Sequence, residues 1–534
     1  MSIWSYEPAG FDGNLVSVEA DIRRGIPGTV IVGLPGCAVR EARERVRVAL
    51  KNSGFDYPAA RILINLAPGS IPKSGTLFDL PIALALLSAS GQFGIPRGIR
   101  VLVMGEVLLS GKIRGVRGIL PAVAEGLKSG INHFIIPEDN RKEASVLGKG
   151  MIGGVSSLTD AAALSVSLSR SGGKMSAEGW SDASKEEKNH EVYLYQDYPD
   201  YFDLKGQTGV KRALEIAAAG RHNVLLFGPP GCGKTMAGFR FPGIIPDLSR
   251  QESLEVSRIH SLAGLIPQDG GLIRKPPYRS PHHSASSEGI AGGGTAMRPG
   301  EISLAHKGIL FLDEAPEFRK NILQNLREPL EYGNISIARA GRSFRFPADF
   351  QLLLSANPCP CGNLGRTENM CICSMNEVNN YWKRIGGALM DRIDIRIPML
   401  PPPSESLFKN AGDNSESMKA RVEKAVKLQT ARYQNEAFKR NGKISPGKLN
   451  HYCPLTDSAV KSLNGAVQRM DLSARAVSSI MKISRTIADF EGADVIDESH
   501  VFEAAQYRRY GDVRGIWEML NQLNTPVSVS EIPG

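Results

Sequence analysis

The chain has 534 residues, too many for one hydrophobic core, so several domains are expected. Hydrophobic residues make up 42% and charged residues 22%, a globular balance rather than a disordered or fibrous one, and the net charge of +9 is consistent with a polyanionic partner. The longest apolar run, residues 80–87, is too short to cross a bilayer; the N-terminus lacks a signal pattern; seven cysteines make no disulfide framework, so a cytoplasmic setting without a membrane partner is expected.

Residues 1–168 form a first unit. Residues 30–35 read as a strand, 38–52 as a helix, 62–66 as a strand, 82–89 as an apolar helix, 101–109 as a strand with a hairpin at 111–116, and 134–137 as a strand. This alternation, with the Pro72–Lys73–Ser74–Gly75 turn, resembles the Lon-protease domain, the ribosomal S5 domain 2-like fold. In that family a nucleophilic serine follows the turn, and a lysine partner lies beyond the hairpin. Here the corresponding positions are Leu77, which has no group to attack a carbonyl, and about Leu120; Ser74 and Lys73 are present but offset, and adjacent residues cannot form the dyad on their own. The unit is therefore expected to be protease-inactive, an α+β scaffold.

Residues 169–192, rich in Gly, Ser and charge, read as a flexible linker. Residues 193–400 then carry the chemistry. The apolar run 223–227 precedes Gly228–Pro229–Pro230–Gly231–Cys232–Gly233–Lys234–Thr235, a glycine-rich loop at a strand-to-helix junction. Its backbone N–H groups can cradle an anion, Lys234 can reach the β/γ-phosphates of ATP, and Thr235 can offer its hydroxyl to Mg²⁺. The strand at 308–312 ends in Asp313 and Glu314, placed to hold the Mg²⁺ shell and to polarise the attacking water. Capping of the next helix is the other role open to Glu314.

Residues 335–346 alternate around an Ala–Gly turn and read as a hairpin bearing Arg339, Arg342 and Arg345 with no acid among them; a solvated charged face and a DNA-facing loop are both open. The strand at 350–355 leads to Asn357, suited to sensing a γ-phosphate. Arg392 can stabilise transition-state charge across a subunit boundary, or pair with Asp391 or Asp394. Tyr278–Arg279–Ser280–Pro281–His282–His283 reads as a structural or DNA-facing insert rather than a metal site, because adjacent histidines on an extended segment should point to opposite faces. Cys359, Cys361, Cys371 and Cys373 can form a four-thiolate zinc site, although C-x-C is tighter than the common ligand spacing; a reduced-thiol loop is the other reading. Residues 401–515 read as a helical lid in which Arg475 opens a long amphipathic helix, and 516–534 as a tail, disordered from Thr525.

The order of these motifs resembles an AAA+ ATPase. The long matches "NVLLFGPPGCGKT", "RSPHHSAS", "GEISLAHKGILFLDEAPEF", "SANPCPCGNLG" and "LMDRIDI", with "INLAPGSIPKSGTLFDLPIAL" near the N-terminus, resemble the magnesium-chelatase-like ComM/YifB family over nearly the whole chain. The fold implied is a three-layer αβα P-loop domain with an all-helical lid, after the Lon-like domain. The resemblance makes Gly228–Thr235 the Walker A loop, Asp313 and Glu314 Walker B, Asn357 sensor 1, Arg392 the arginine finger and Arg475 the sensor 2 arginine. It implies a homo-hexameric, ATP- and Mg²⁺-dependent motor that binds single-stranded and branched DNA and promotes branch migration in recombination and natural transformation. A metal-insertion ATPase subunit and an ATP-dependent protease are the alternatives. One departure is Gly238, a weak helix former just after the P-loop.

Overall fold

The computed structural model describes residues 2–93, 98–171, 179–186, 191–192, 198–266, 271–294, 297–339, 342–364, 370–401 and 413–509. The N-terminal unit is built on an eight-stranded mixed sheet. At its centre Ser2–Ala9 and Asp12–Arg23 pair antiparallel, from Ile3 opposite Val18 to Ala9 opposite Asp12. Neither strand stands out in the sequence. Val16 and Val18 face the core, while Glu19, Asp21 and Arg23 give their far face to solvent and dilute the apolar signal. The helices Cys37–Asn52 and Asp79–Ala89 are locked together by a fork between Arg45 and the fully buried Asp79, with Nε and Nη2 each 2.9 Å from a carboxylate oxygen.

The strand expected at 101–109 is broken. Arg100–Val103 stays in the large sheet, whereas Glu106–Val107 pairs with Ile113–Arg114. Gly105 makes the break: its N–H donates to Leu77 and its carbonyl accepts from Leu80, diverting the chain toward the buried helix. The expected linker is partly tied down as well. Ser181–Asp182 pairs with Met151–Ile152, and Ala183 is buried in the first core.

The second unit holds a five-stranded sheet in the order Tyr278–Arg279, Ile309–Leu312, Gln351–Ala356, Val224–Phe227 and Ile395–Pro398, with every neighbouring pair parallel. Its inner strands are buried throughout, the pattern of a sheet covered on both faces. Tyr278–Arg279 is therefore an edge strand of the core rather than part of an insert, and Arg279 is clamped to Glu301 at 2.5 and 2.7 Å. His282 and His283 do not diverge: the chain turns there, and their rings lie 4.0 Å apart.

Gly238 has a packing reason. The helix Lys234–Arg240 lies so close to the Ile309–Leu312 strand that a Cβ on Gly238 would come 2.6 Å from the Phe311 ring.

Helices Ser415–Arg432, Asp457–Met470, Ala474–Glu491 and Glu498–Gln506 form the lid and share a core with the helix Thr208–Gly220. The N-terminal unit docks on the ATPase unit along the helix Arg250–Ala263. Arg258 stacks 4.1 Å over Phe11 and pairs with Asp12 at 3.3 Å, and Ser261 donates to the buried Glu143 at 2.5 Å. The Phe11 N–H also donates at 3.0 Å to the carbonyl of Arg345 on the basic hairpin. That hairpin, Asn334–Arg339 with Arg342–Pro347, forms as expected, while its Ala340–Gly341 tip and the tail from residue 510 lie outside the described residues.

Candidate nucleotide site and its distant arginines

Three parallel strands deliver their functional residues to one edge of the sheet, because all run the same way and end together. Val224–Phe227 leads into the glycine-rich loop, Ile309–Leu312 into Asp313 and Glu314, and Gln351–Ala356 into Asn357. Within the loop Gly231 and Gly233 take φ of 83° and 95°, left-handed conformations that turn successive N–H groups inward. The Lys234 ammonium donates to the carbonyls of Gly228 at 2.7 Å and Pro229 at 3.0 Å and to Asn357 Oδ1 at 3.1 Å. Thr235 Oγ1 donates to Asp313 Oδ2 at 2.8 Å. A hydroxyl and a carboxylate at this separation suit a hard divalent cation that keeps several waters, so the donor set fits Mg²⁺.

Ser355, which no sequence motif marks, joins the two halves of this edge. Its hydroxyl donates to Asp313 Oδ1 and accepts the Glu314 N–H at 2.9 Å. Glu314 itself has φ of 53°, an uncommon conformation for a non-glycine residue, and its side chain is exposed. The only sequence hint of Ser355 is its place two residues before Asn357.

Arg392 and Arg475 are not at this edge. Arg392 donates to the Ala388 carbonyl at 2.7 Å and to Glu331, and Arg475 lies 3.4 Å from the same Glu331 and 3.9 Å from Asp391. The Arg392 carbonyl accepts from Asn223, the residue just before the P-loop strand. Four residues rising about 3.3 Å each separate Asn223 from the P-loop by roughly 13 Å. Arg475, the sensor 2 arginine by resemblance, therefore lies away from the P-loop end of the sheet within one subunit. The two arginines share a cleft of about 610 Å³ with Arg221, Lys443 and Lys482. Glu331 was not anticipated; its two arginine partners, Arg392 foremost, hold its carboxyl below the ordinary range.

Of the basic hairpin, Arg345 has an exposed side chain. The side chains of Arg339 and Arg342 lie outside the described residues, although both residues are in the paired strands.

The four clustered cysteines do come together: Cys359 lies 3.4 Å from Cys361 and 3.6 Å from Cys371, Cys361 lies 3.7 Å from Cys371, and all four sulfurs, Cys373 included, fall within 4.8 Å of one another. Such a donor set could hold a metal ion.

In the N-terminal unit, Leu77 and Leu120 are buried. Lys73 is buried with its ammonium donating to the carbonyls of Gly33 at 2.7 Å, Leu66 at 2.8 Å and Pro68, and Ser74 donates to Glu7 at 2.7 Å.

A parallel P-loop sheet with an acidic strand end, a strand-tip asparagine and a helical lid defines the AAA+ class of nucleotide-binding proteins. Residues 200–407 match the family described as "Magnesium chelatase, subunit ChlI", residues 18–140 "Subunit ChlI of Mg-chelatase", and residues 412–508 its C-terminal part. The chain is 40% identical over 502 residues to the uncharacterized protein YifB of Escherichia coli, covering 93% of this chain and 95% of that one. It is 38% identical over 510 residues to competence protein ComM of Haemophilus influenzae, covering 95% and 97%. A Lon protease of Geobacter metallireducens is 26% identical over 155 residues, 28% of this chain and 18% of that one. The chain belongs to the ComM/YifB family of magnesium-chelatase-like AAA+ proteins. Among the described residues no helix is long and apolar enough to cross a membrane.

Proposed function

We propose that this chain is one subunit of a homo-hexameric ring that hydrolyses ATP to move single-stranded and branched DNA. The observation that carries the reading is the separation of Lys234, Thr235, Asp313 and Asn357 from Arg392 and Arg475 at opposite ends of one strand. Each half lacks what the other offers, so a complete site needs two subunits, as in a closed ring of identical chains. The competence name of one relative and the family resemblance point to DNA as the moved polymer.

In this reading Asn357 and the loop glycines orient the phosphate chain. Lys234 exchanges its backbone carbonyls for phosphate oxygens. Magnesium held by Thr235 and Asp313 would neutralise charge on the β- and γ-phosphates. Glu314 polarises water in line with the γ-phosphate, and the neighbour's Arg392, with Arg475 beside it, stabilises charge on the transferring group. Arg339, Arg342 and Arg345 meet DNA phosphates, contacts without sequence information that suit migration through arbitrary DNA.

The test is branch migration on a labelled junction. Wild type should move the junction and show DNA-stimulated ATPase activity that falls steeply with salt. Glu314→Gln should bind ATP and DNA without moving it. Wild type that neither binds DNA nor gains ATPase activity from it sinks the motor reading and favours the metal-insertion role suggested by the chelatase family descriptions. Proteolysis is disfavoured by Leu77 at the nucleophile position and by the three carbonyls that occupy Lys73; a casein-degradation assay with ATP should stay blank.

A further inference from the structure

We propose that Cys359, Cys361, Cys371 and Cys373 bind one zinc ion in a closed four-thiolate site, and that this ion props the nucleotide cradle from behind. Zn–S bonds of about 2.3 Å set the sulfurs of a tetrahedral site roughly 3.8 Å apart. The separations of 3.4, 3.6 and 3.7 Å approach that edge length. The four cysteines are the only group of three or more His, Cys, Asp or Glu donors that converges in this way among the described residues.

Apolar burial does not explain the convergence. Met370 and Ile372, alternating with the second pair, are 89% and 87% exposed while Cys371 and Cys373 turn inward. Cysteine is itself commonly buried, but a loop ordered by hydrophobic packing alone would bury the larger Met370 and Ile372 at least as well. The two pairs reach the site by different backbones: Cys359 and Cys361 sit in a turn closed by the Gly362 N–H donating to the Cys359 carbonyl at 3.0 Å, and Cys371 and Cys373 alternate with the exposed Ile372, so each pair presents two sulfurs together. The Asn363 N–H approaches Cys361 Sγ at 3.5 Å, the kind of donor that supports a thiolate ligand. Four sulfurs leave no open coordination position, so the ion is structural.

The loop it would hold touches the nucleotide site at two points. Gly362 packs so closely on the P-loop that a Cβ there would lie 2.9 Å from the Pro230 ring. Cys359 follows Asn357 by two residues, and the intervening Pro358 accepts from Trp382 at 3.0 Å. Trp382 in turn sits edge-on to Phe227, the last residue of the P-loop strand, at 6.0 Å. Fixing the cysteines therefore fixes both Pro230 and the asparagine that meets Lys234.

The zinc site is independent of the DNA reading; its effect on nucleotide rests on the ATP reading. Full-length protein should carry one zinc per chain by elemental analysis, and X-ray absorption should show a sulfur-only shell near the ~2.3 Å distance of Zn–S bonds. Cys371→Ser with Cys373→Ser should lose the zinc and weaken binding of a fluorescent ATP analogue at least about tenfold, equal to about 1.4 kcal/mol. Should that variant misfold, zinc is withdrawn from wild type with a high-affinity chelator, and nucleotide affinity should fall and return on adding zinc back. Purified protein without zinc, with iron in its place, or with nitrogen or oxygen ligands overturns the site. Unchanged nucleotide affinity after zinc loss overturns the propping role. A chain that holds zinc and binds ATP but ignores DNA leaves this proposal standing while sinking the motor.

Discussion

Ser355 ties the acidic strand end to the sensor strand with one hydroxyl, giving a hydrogen bond to Asp313 and taking one from the Glu314 backbone. Replacing it by alanine removes a partner of Asp313, the carboxylate proposed to hold magnesium, and frees a residue held at a positive φ. Ser355→Ala should bind ATP and lower the steady-state ATPase rate by about 10–100-fold, the range for outer-shell partners of metal ligands. Glu314→Gln should abolish turnover while leaving nucleotide binding intact. Lys234, Thr235, Asp313 and Glu314 are legible in the sequence because each lies within a contiguous motif whose spacing the chemistry demands. Ser355 and Glu331 are not, since a serine in an apolar strand and a glutamate in a helix have no local signature; only their partners mark them.

At the scale of elements, helix propensity and packing disagree at Gly238, and packing prevails. Alanine is the better helix former by about 1 kcal/mol. Yet its methyl would meet the Phe311 ring at 2.6 Å. Gly238→Ala should therefore lower stability by about 1–3 kcal/mol, the usual cost of overpacking, read as a drop in the melting temperature of the ATPase unit.

The two units should also answer oppositely to pH. Burial pushes the Glu7 carboxyl up to about 7 from an ordinary 4.5, despite hydrogen bonds from Ser74. A raised acid favours the folded state below its unfolded value, and that contribution is lost as pH rises from 4.5 to about 7, a fall of up to about 3 kcal/mol. Burial pushes His222 and His260 down to about 4 from 6.5. Their contribution is complete above 6.5 and is lost as pH falls toward 4, so acid destabilises the ATPase unit instead. Hydrogen exchange resolved by unit between pH 4 and 8 should show the two trends, and Glu7→Gln should flatten the first alone.

For the whole molecule the decisive feature is that one chain carries the two halves of its candidate site about a strand length apart. Mixing inactive variants tests this. Lys234→Ala and Arg392→Ala should each lack ATPase activity, and their mixture should recover part of it, because some junctions then pair an intact P-loop with an intact arginine. The same recovery is expected from Lys234→Ala mixed with Arg475→Ala. An arginine acting on its own chain's nucleotide would give none in that mixture.

By itself the sequence determined the P-loop class, the family and the strands that carry the acidic pair and Asn357, because contiguous motifs and buried parallel strands leave strong local signals. It missed the central hairpin Ser2–Arg23, whose charged far face hides its alternation. Only the tertiary structure decided that Arg392 and Arg475 lie at the opposite end of the sheet, that Ser355 bridges the site, and that four cysteines in two pairs gather at one point beside Pro230. Those facts depend on how strands stack side by side and on which ends align, and residues far apart in the chain carry no local record of it.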